Sequence, residues 1–337
     1  MRVGVDASYL LAPQKSGVET YTLNLLRAFL ELPGRPDLYL YAAGAGPIPP
    51  DADEVLHAAD RARVSRVPRL WLRMRAPLAM KWDRIHVAHF PGTLLPPWLP
   101  CPAVTTFYDL AAFHYPELYS PRELRLYHTA VPRAARLSAA ILAVSEHTKA
   151  DVVRFLGVDE GKVFVAPPGV APRFAPVKGA AELAEARFGL PPPYLVACVG
   201  SGHPRKNLRA VIEAFNRLRW PGLRLAIIGV AERDAAAMAA IEASPARDRI
   251  LLLGHVPEDD LPVIYSAAAV FCFPSLYEGF GLPVLEAMAC GTPVVCGKGS
   301  SLPEAAGDAG LMIEATDTEG LADALADLLA DDDRRGR

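Results

Sequence analysis

At 337 residues the chain is too long for one ordinary hydrophobic core and suits two domains of roughly 150 residues each. With 51% of residues apolar and 22% charged, the composition is that of a globular protein and excludes a disordered or fibrous one. A net charge of −3 gives no support to a nucleic-acid partner.

The chain opens on RVGVDA (2–7), which reads as a strand and not a secretory leader, because no basic lead or small-residue cleavage site is present. KSGVE (15–19) follows, with Gly17 as a turn glycine before the helix pattern ETYTLNLLRAFLEL. No G-x-G-x-x-G follows that strand, which weakens a dinucleotide-binding reading. LYLYAA (38–43) is the next strand. A literal D-x-D at Asp51-Ala52-Asp53, like one in 331–333, lies in polar sequence read as loop or tail. The segment 61–84, RARVSRVPRLWLRMRAPLAMKWDR, is densely basic with Trp71, Leu72, Met74, Leu78 and Trp82 interleaved. It fits a solvated helix with two buried aromatics, or a surface that lies on an anionic membrane or grips an anionic or lipid-linked acceptor. Strands RIHVAHF (84–90), AVTTFY (103–108), AAILAV (139–144) and KVFVAP (162–167) then alternate with helices such as ELRLYHTAVPRAARL. His86 and His89 are read as sharing one strand face and as structural.

The stretch 167–193 is proline-rich, lacks a clear strand and ends in PPPY, so it marks the hinge. Beyond it come YLVACVG (194–200), RLAIIG (224–229), ILLLG (250–254), AVFCFP (269–274) and TPVVCG (292–297), with helices NLRAVIEAFNRL and GLADALADLLA between and after them. Apolar strands alternating with helices mean parallel sheets covered on both faces. The expected fold is therefore α/β, two Rossmann-like doubly wound domains facing a cleft, with bounds 1–170, a linker at 171–193, and 194–337. Five cysteines without C-x-x-C spacing read as reduced thiols of a cytoplasmic protein, and no run of 18 apolar residues spans a membrane.

Chemistry concentrates in FPSLYEGFGLPVLEAMACGTPVV (273–295). Pro283 opens a helix that stops at Gly291, so the amides of Phe280, Gly281 and Leu282 form an anion site at a helix N-terminus. Glu286 lies one turn in, and Glu278 precedes the glycines. The pattern suits a sugar nucleotide, with amides on the diphosphate and carboxylates on ribose and sugar; a glycine turn plus a helix-favouring glutamate explains the spacing equally. In GSGHPRKN (200–207), Arg205 and Lys206 follow a strand, with Asn207 as N-cap. They neutralise a diphosphate or are plain solvated surface.

EGFGLPVLE resembles the E-x7-E signature of the retaining family 4 glycosyltransferases, which have the two-Rossmann GT-B architecture. SGVETYTLNLLRAF, TTFYDLAAFHYPELY, AVSEHTKADVV, APPGV, VGSGHPRKNLRAVIEAF, LLGHVPEDDLPVIYSAAAVFCFPS and SSLPEAAGDAGLMI resemble further family blocks in family order. The resemblance implies a nucleotide diphosphate-sugar as co-substrate, a hydroxyl acceptor (glycan, lipid-linked or small molecule) on the first domain, no metal or other cofactor, and retention of configuration. Lys206 matches the family's phosphate lysine, and Arg205 replaces an arginine found where this chain has Ser201. Gly17 brings backbone to the donor phosphate, Glu286 holds the ribose, Glu278 meets the transferred sugar, and the base stacks near Val256. GDP-mannose is the first expectation and UDP-sugars the next.

Two departures stand out. Where relatives carry His-Asp-Leu, this chain has Tyr108-Asp109-Leu110. A phenol donates a hydrogen bond but lacks a histidine's protonation near neutral pH. His114 is a possible stand-in, and Asp109 is placed to orient a sugar hydroxyl. The chain also stops at DDDRRGR, before a further family helix. The alternatives are a catalytically silent nucleotide-sugar or glycan-binding protein and, against the missing fingerprint, a dehydrogenase.

Overall fold

Alternate residues of a strand point to opposite faces, so a strand apolar at every position must be covered twice. The computed structural model, which describes residues 1–12, 17–66, 71–198, 203–231 and 234–331, shows this in both of its units, Met1–Gly169 and Val170–Arg337.

In the first unit β1 (Arg2–Asp6), β2 (Asp37–Ala43), β3 (Arg61–Ser65), β4 (Val87–Phe90), β5 (Ala103–Phe107), β6 (Ala140–Ala143) and β7 (Val163–Val165) form a 7-stranded parallel sheet, order β3-β2-β1-β4-β5-β6-β7. In the second, β8 (Tyr194–Cys198), β9 (Arg224–Ile228), β10 (Ile250–Gly254), β11 (Val270–Phe273), β12 (Val294–Gly297) and β13 (Leu311–Ile313) form a 6-stranded parallel sheet, order β10-β9-β8-β11-β12-β13. Both orders run outward from the first strand and then reverse, the doubly wound pattern whose ligands lie beyond the strands' carboxyl ends. In the second unit Leu195, Ala197, Leu225 and Ile227 enter one core with helices Leu208–Arg217 and Thr318–Ala330. Tyr194, Val196, Ala226 and Ile228 enter another with Ala180–Phe188 and Leu282–Ala289.

Several expectations need correcting. The basic segment 61–84 opens as the edge strand β3, whose side chains are largely exposed; Lys and Arg on an edge discourage pairing with other chains. Arg61 and Arg63 are committed to Asp83. Arg61 Nη1 donates to Oδ1 at 2.7 Å, Arg63 Nε to Oδ2 at 2.7 Å, and the Tyr41 hydroxyl to Oδ2 at 2.8 Å. Burial alone would raise the pKa of Asp83, but these donors hold it at about 2. Of the two aromatics expected inside, Trp71 is buried whereas Trp82 is 82% exposed. Residues 171–193 are packed, not a free linker: Phe174, Ala184 and Leu190 belong to the second unit's core. Asp51-Ala52-Asp53 lies in the helix Pro50–Ala58. His86 and His89 do not share a face. His86 precedes β4 and its Nδ1 accepts from the Arg2 amide, while buried His89 pairs with Thr106.

Candidate functional site

The site begins with the chain leaving two neighbouring strands, β8 and β11, at their carboxyl ends. After β8, the short 3₁₀ turn Pro204–Lys206 is fastened to the loop after β11 by the Leu276 amide, which donates to the Arg205 carbonyl at 2.8 Å. Asn207, expected as a helix cap, adopts left-handed backbone and makes no side-chain cap. Its Nδ2 instead donates to the carbonyls of Pro274 and Ala315, holding the turn in place.

These fasteners bring Arg205 and Lys206 onto Glu278. Lys206 Nζ donates to Oε1 at 2.6 Å, Ser275 Oγ to the same oxygen at 2.7 Å, and Arg205 Nη1 to Oε2 at 2.8 Å. Arg205 Nη1 also reaches the Tyr277 carbonyl at 2.9 Å, and Lys206 Nζ lies 4.9 Å over the Phe273 ring. Glu278 is 7% exposed. Burial pushes its pKa up, yet the Lys206 and Arg205 charges and the Lys206 and Ser275 hydrogen bonds outweigh this and hold it at about 2. The three side chains therefore carry a net positive charge. Of about four acceptor positions on a carboxylate, three are filled by described residues, two on Oε1 and one on Oε2.

The backbone of Glu278 is fixed from elsewhere. Its N–H donates to Ser300 Oγ at 2.9 Å, and its carbonyl accepts from Ser301 Oγ at 2.9 Å. Ser300 holds a φ of 56°, left-handed backbone that a non-glycine residue adopts only under constraint. Gly297 permits the approach of this segment, because a Cβ there would lie 2.7 Å from the Ser275 carbonyl oxygen. Sequence reasoning missed Ser275, Ser300 and Ser301 as partners of Glu278. The only signal was their place in resembling blocks.

Phe280, Gly281 and Leu282 lead into helix Leu282–Ala289, as expected, with Gly281 as N-cap at φ 106°. An added Cβ at Gly281 would meet Leu302 Cδ2 at 2.7 Å, so both conformation and space demand glycine. Glu286, one turn in, is half-buried; its backbone carbonyl accepts from the Cys290 amide, while its carboxylate has no hydrogen-bond or ion-pair partner among the described residues. Burial, reinforced by Glu258 and opposed by Arg173, raises its pKa to about 7. The Val256 side chain is buried in the core, which leaves the backbone there for the expected base contact.

In the first unit Gly17 opens helix Gly17–Glu31 and is exposed, with nothing among the described residues within 4 Å of an added Cβ. Tyr108 is half-buried edge-on to Tyr21 at 5.4 Å; its buried hydroxyl lies near Thr22 but has no partner in bonding geometry among the described residues. Burial raises the phenol's pKa, so it remains a proton donor. Asp109 Oδ1 accepts from the Ala111 amide at 3.0 Å, starting the helical turn Ala111–His114. His114 is turned to Asp151 and does not stand in for a histidine at position 108. Lys15, Ser16, Gly200, Ser201, Gly202 and the tail from 332 lie outside the described residues.

Residues 15–174 match the model of Glycosyltransferase Family 4, and residues 181–337 that of Glycosyl transferases group 1. The O-antigen chain mannosyltransferase B of Escherichia coli is 31% identical over 274 residues, covering 79% of this chain and 71% of the relative. A GDP-mannose-dependent alpha-(1-6)-phosphatidylinositol monomannoside mannosyltransferase of Mycolicibacterium smegmatis is 31% identical over 221 residues, covering 60% of this chain and 56% of the relative. Among solved structures, Anabaena HepE in complex with UDP-glucose matches with a TM-score of 0.76 at 18% identity, over 99% of this chain and 91% of that one, a likeness of fold alone.

Proposed function

Because the chain belongs to the family 4, group 1 glycosyltransferases, with two parallel-sheet α/β domains of the GT-B class, we propose that it moves a hexose from a nucleotide diphosphate-sugar to a hydroxyl acceptor with retention of configuration. Mannose from GDP-mannose is the first choice. Both relatives above are mannosyltransferases, one of them GDP-mannose-dependent, and a UDP-sugar is the next candidate.

The observation that carries this proposal is the group of half-buried Arg205 and Lys206 on buried Glu278, at the carboxyl ends of β8 and β11 and directly ahead of a helix N-terminus. Its net positive charge and the Phe280–Leu282 amides suit a diphosphate, whose negative charge grows as the sugar departs. Preorganised cations that bind the leaving group more tightly in the transition state lower the barrier itself. Positive charge from side chains and helix lets the transfer proceed without a metal bridge. The second acceptor position of Glu278 Oε2 suits a sugar hydroxyl. Glu286, once ionised, suits the ribose hydroxyls. Retention follows if the departing phosphate takes the proton of a hydroxyl entering on the same face.

For the first unit, Gly17 keeps a backbone role toward donor phosphate, and Tyr108 and Asp109 meet sugar or acceptor hydroxyls. Helix Ala76–Trp82 exposes Leu78 and Trp82 beside Lys81, with Met74 and Arg75 just ahead. This suits an acceptor presented at the cytosolic face of an anionic membrane. No helix of the described residues is long and apolar enough to cross one.

The test is thermal stabilisation by GDP-mannose, UDP-glucose and NAD, followed by GDP or UDP release. GDP-mannose is expected to raise the melting temperature of the wild type and not of Lys206→Ala. Stabilisation by NAD alone, or an undiminished shift in Lys206→Ala, would refute the assignment.

A further inference from the structure

We propose that His114, His147 and Asp151 form a binding site for a divalent first-row transition ion, with zinc the best fit. The three sit together in the first unit, and no step of the transfer chemistry uses them as a group. His147 and Asp151 are four apart on helix Glu146–Leu156, so they share one face. His114 ends the helical turn Ala111–His114 and approaches from outside that helix.

The three ligand atoms converge. His114 Nε2 lies 2.8 Å from Asp151 Oδ2 and His147 Nε2 lies 3.4 Å from the same oxygen, while all three ligand atoms fall within 4.8 Å of one another. Ligands on a tetrahedral zinc with bonds of about 2.0 Å stand about 3.3 Å apart, so small side-chain adjustments seat the ion. Two imidazoles and one carboxylate select zinc and its neighbours over calcium or magnesium, which require mainly oxygen donors. Asp151 is almost wholly buried, with its side chain 5% exposed, whereas the histidine side chains are 24% and 31% exposed. The carboxylate thus forms a floor and the imidazoles a rim, leaving solvent access for entry and for a fourth ligand.

The support is rigid. Ser145 Oγ accepts from the Thr148 amide at 2.9 Å and caps the helix, while Thr148 Oγ1 donates to the Tyr108 carbonyl at 3.2 Å, tying the first turn to the end of β5. The His114 ring stands edge-on to Phe155 at 4.9 Å and lies near-parallel to His147 at 6.2 Å. An ion here joins the turn after Asp109 to this helix, fixing the segment that carries Tyr108 and Asp109.

The full chain, stripped with a chelator and dialysed, is titrated with Zn²⁺ by calorimetry and with Co²⁺ by visible absorption. One ion per chain and the intense bands of four-coordinate cobalt are expected. His114→Ala and His147→Ala should each weaken zinc by more than about a hundredfold, beyond what loss of a supporting group costs. His57→Ala, remote in sequence and exposed, should bind as wild type. Added zinc should raise the melting temperature of wild type and of His57→Ala but of neither rim variant. Equal zinc affinity in wild type and both rim variants, or no stoichiometric binding by folded wild type, overturns the site. The two rim positions are chosen because Asp151 is too buried for its replacement to be diagnostic.

Discussion

Asp83 in the first unit and Glu278 in the second are built from the same parts: a buried carboxylate, two cationic side chains and one hydroxyl, each held at a pKa of about 2. Their settings differ. Asp83 lies beside the starts of β1, β3 and β4, its carbonyl taking Arg2 Nη1, and its cations Arg61 and Arg63 have side chains 51% and 38% exposed. Glu278 lies past the end of β11, before a helix N-terminus, and its cations Arg205 and Lys206 are 19% and 13% exposed. Partly burying two cations around one anion leaves charge whose natural complement is a ligand. Exposed arginines over one anion are solvated without one. Position along the strands, and not the list of residues, separates the Asp83 clasp from the group proposed to bind the donor.

The largest expected effect tests that separation. Lys206→Ala or Glu278→Gln should lower kcat/KM by about 10²–10³, the scale for losing one transition-state donor. Asp83→Asn should leave turnover per folded molecule within about twofold; an equal loss there would erase the distinction. Next comes stability. Breaking the Asp83 group should cost about 2 kcal/mol, the scale of lost hydrogen bonds to a buried carboxylate, read from denaturant midpoints at pH 7. Because the folded pKa is depressed, this contribution is present above the ordinary 3.8 and is lost as pH falls towards 2, so wild type and Asp83→Asn should converge in acid. A smaller effect concerns Glu286. With its pKa raised to about 7, the carboxylate is mostly neutral at pH 6 and mostly ionised at pH 8. Affinity for the nucleotide sugar should rise about tenfold between those values in wild type and stay flat in Glu286→Gln. The smallest is Tyr108→Phe, which removes a buried hydroxyl with no partner in bonding geometry among the described residues and should change stability by less than about 1 kcal/mol. A rise of several-fold in KM for either substrate would mark that hydroxyl as a substrate contact.

The central strands were legible because parallel strands covered on both faces must be apolar throughout, as in YLVACVG and RLAIIG. The strands that escaped lack that pattern. RARVS is an exposed edge, and LMI (311–313) is three residues long and flanked by a glycine. Proline at 172, 176 and 191–193 suggested a linker, although Phe174, Ala184 and Leu190 supply buried surface to the second core. In the site, the spacing of Glu278, the glycines and Glu286 was readable because it is set within one strand-turn-helix unit. The attachment of Arg205 and Lys206 to Glu278 spans about seventy residues, and that of Ser300 and Ser301 about twenty. Such pairings depend on which loops a sheet brings together, which local spacing does not encode. Asn207 takes the expected N-cap position, but its side-chain partners were illegible for the same reason: they are distant carbonyls and not its own helix.

The serine pair at 300–301 also bears on engineering. Because it grips both peptide groups of Glu278, the glutamate's location is written in two separate stretches of chain. Transplanting 273–289 into another scaffold without 297–301 would carry over the acid but not its coordinates. Recombination between homologues should therefore place its crossovers outside the whole of 273–302.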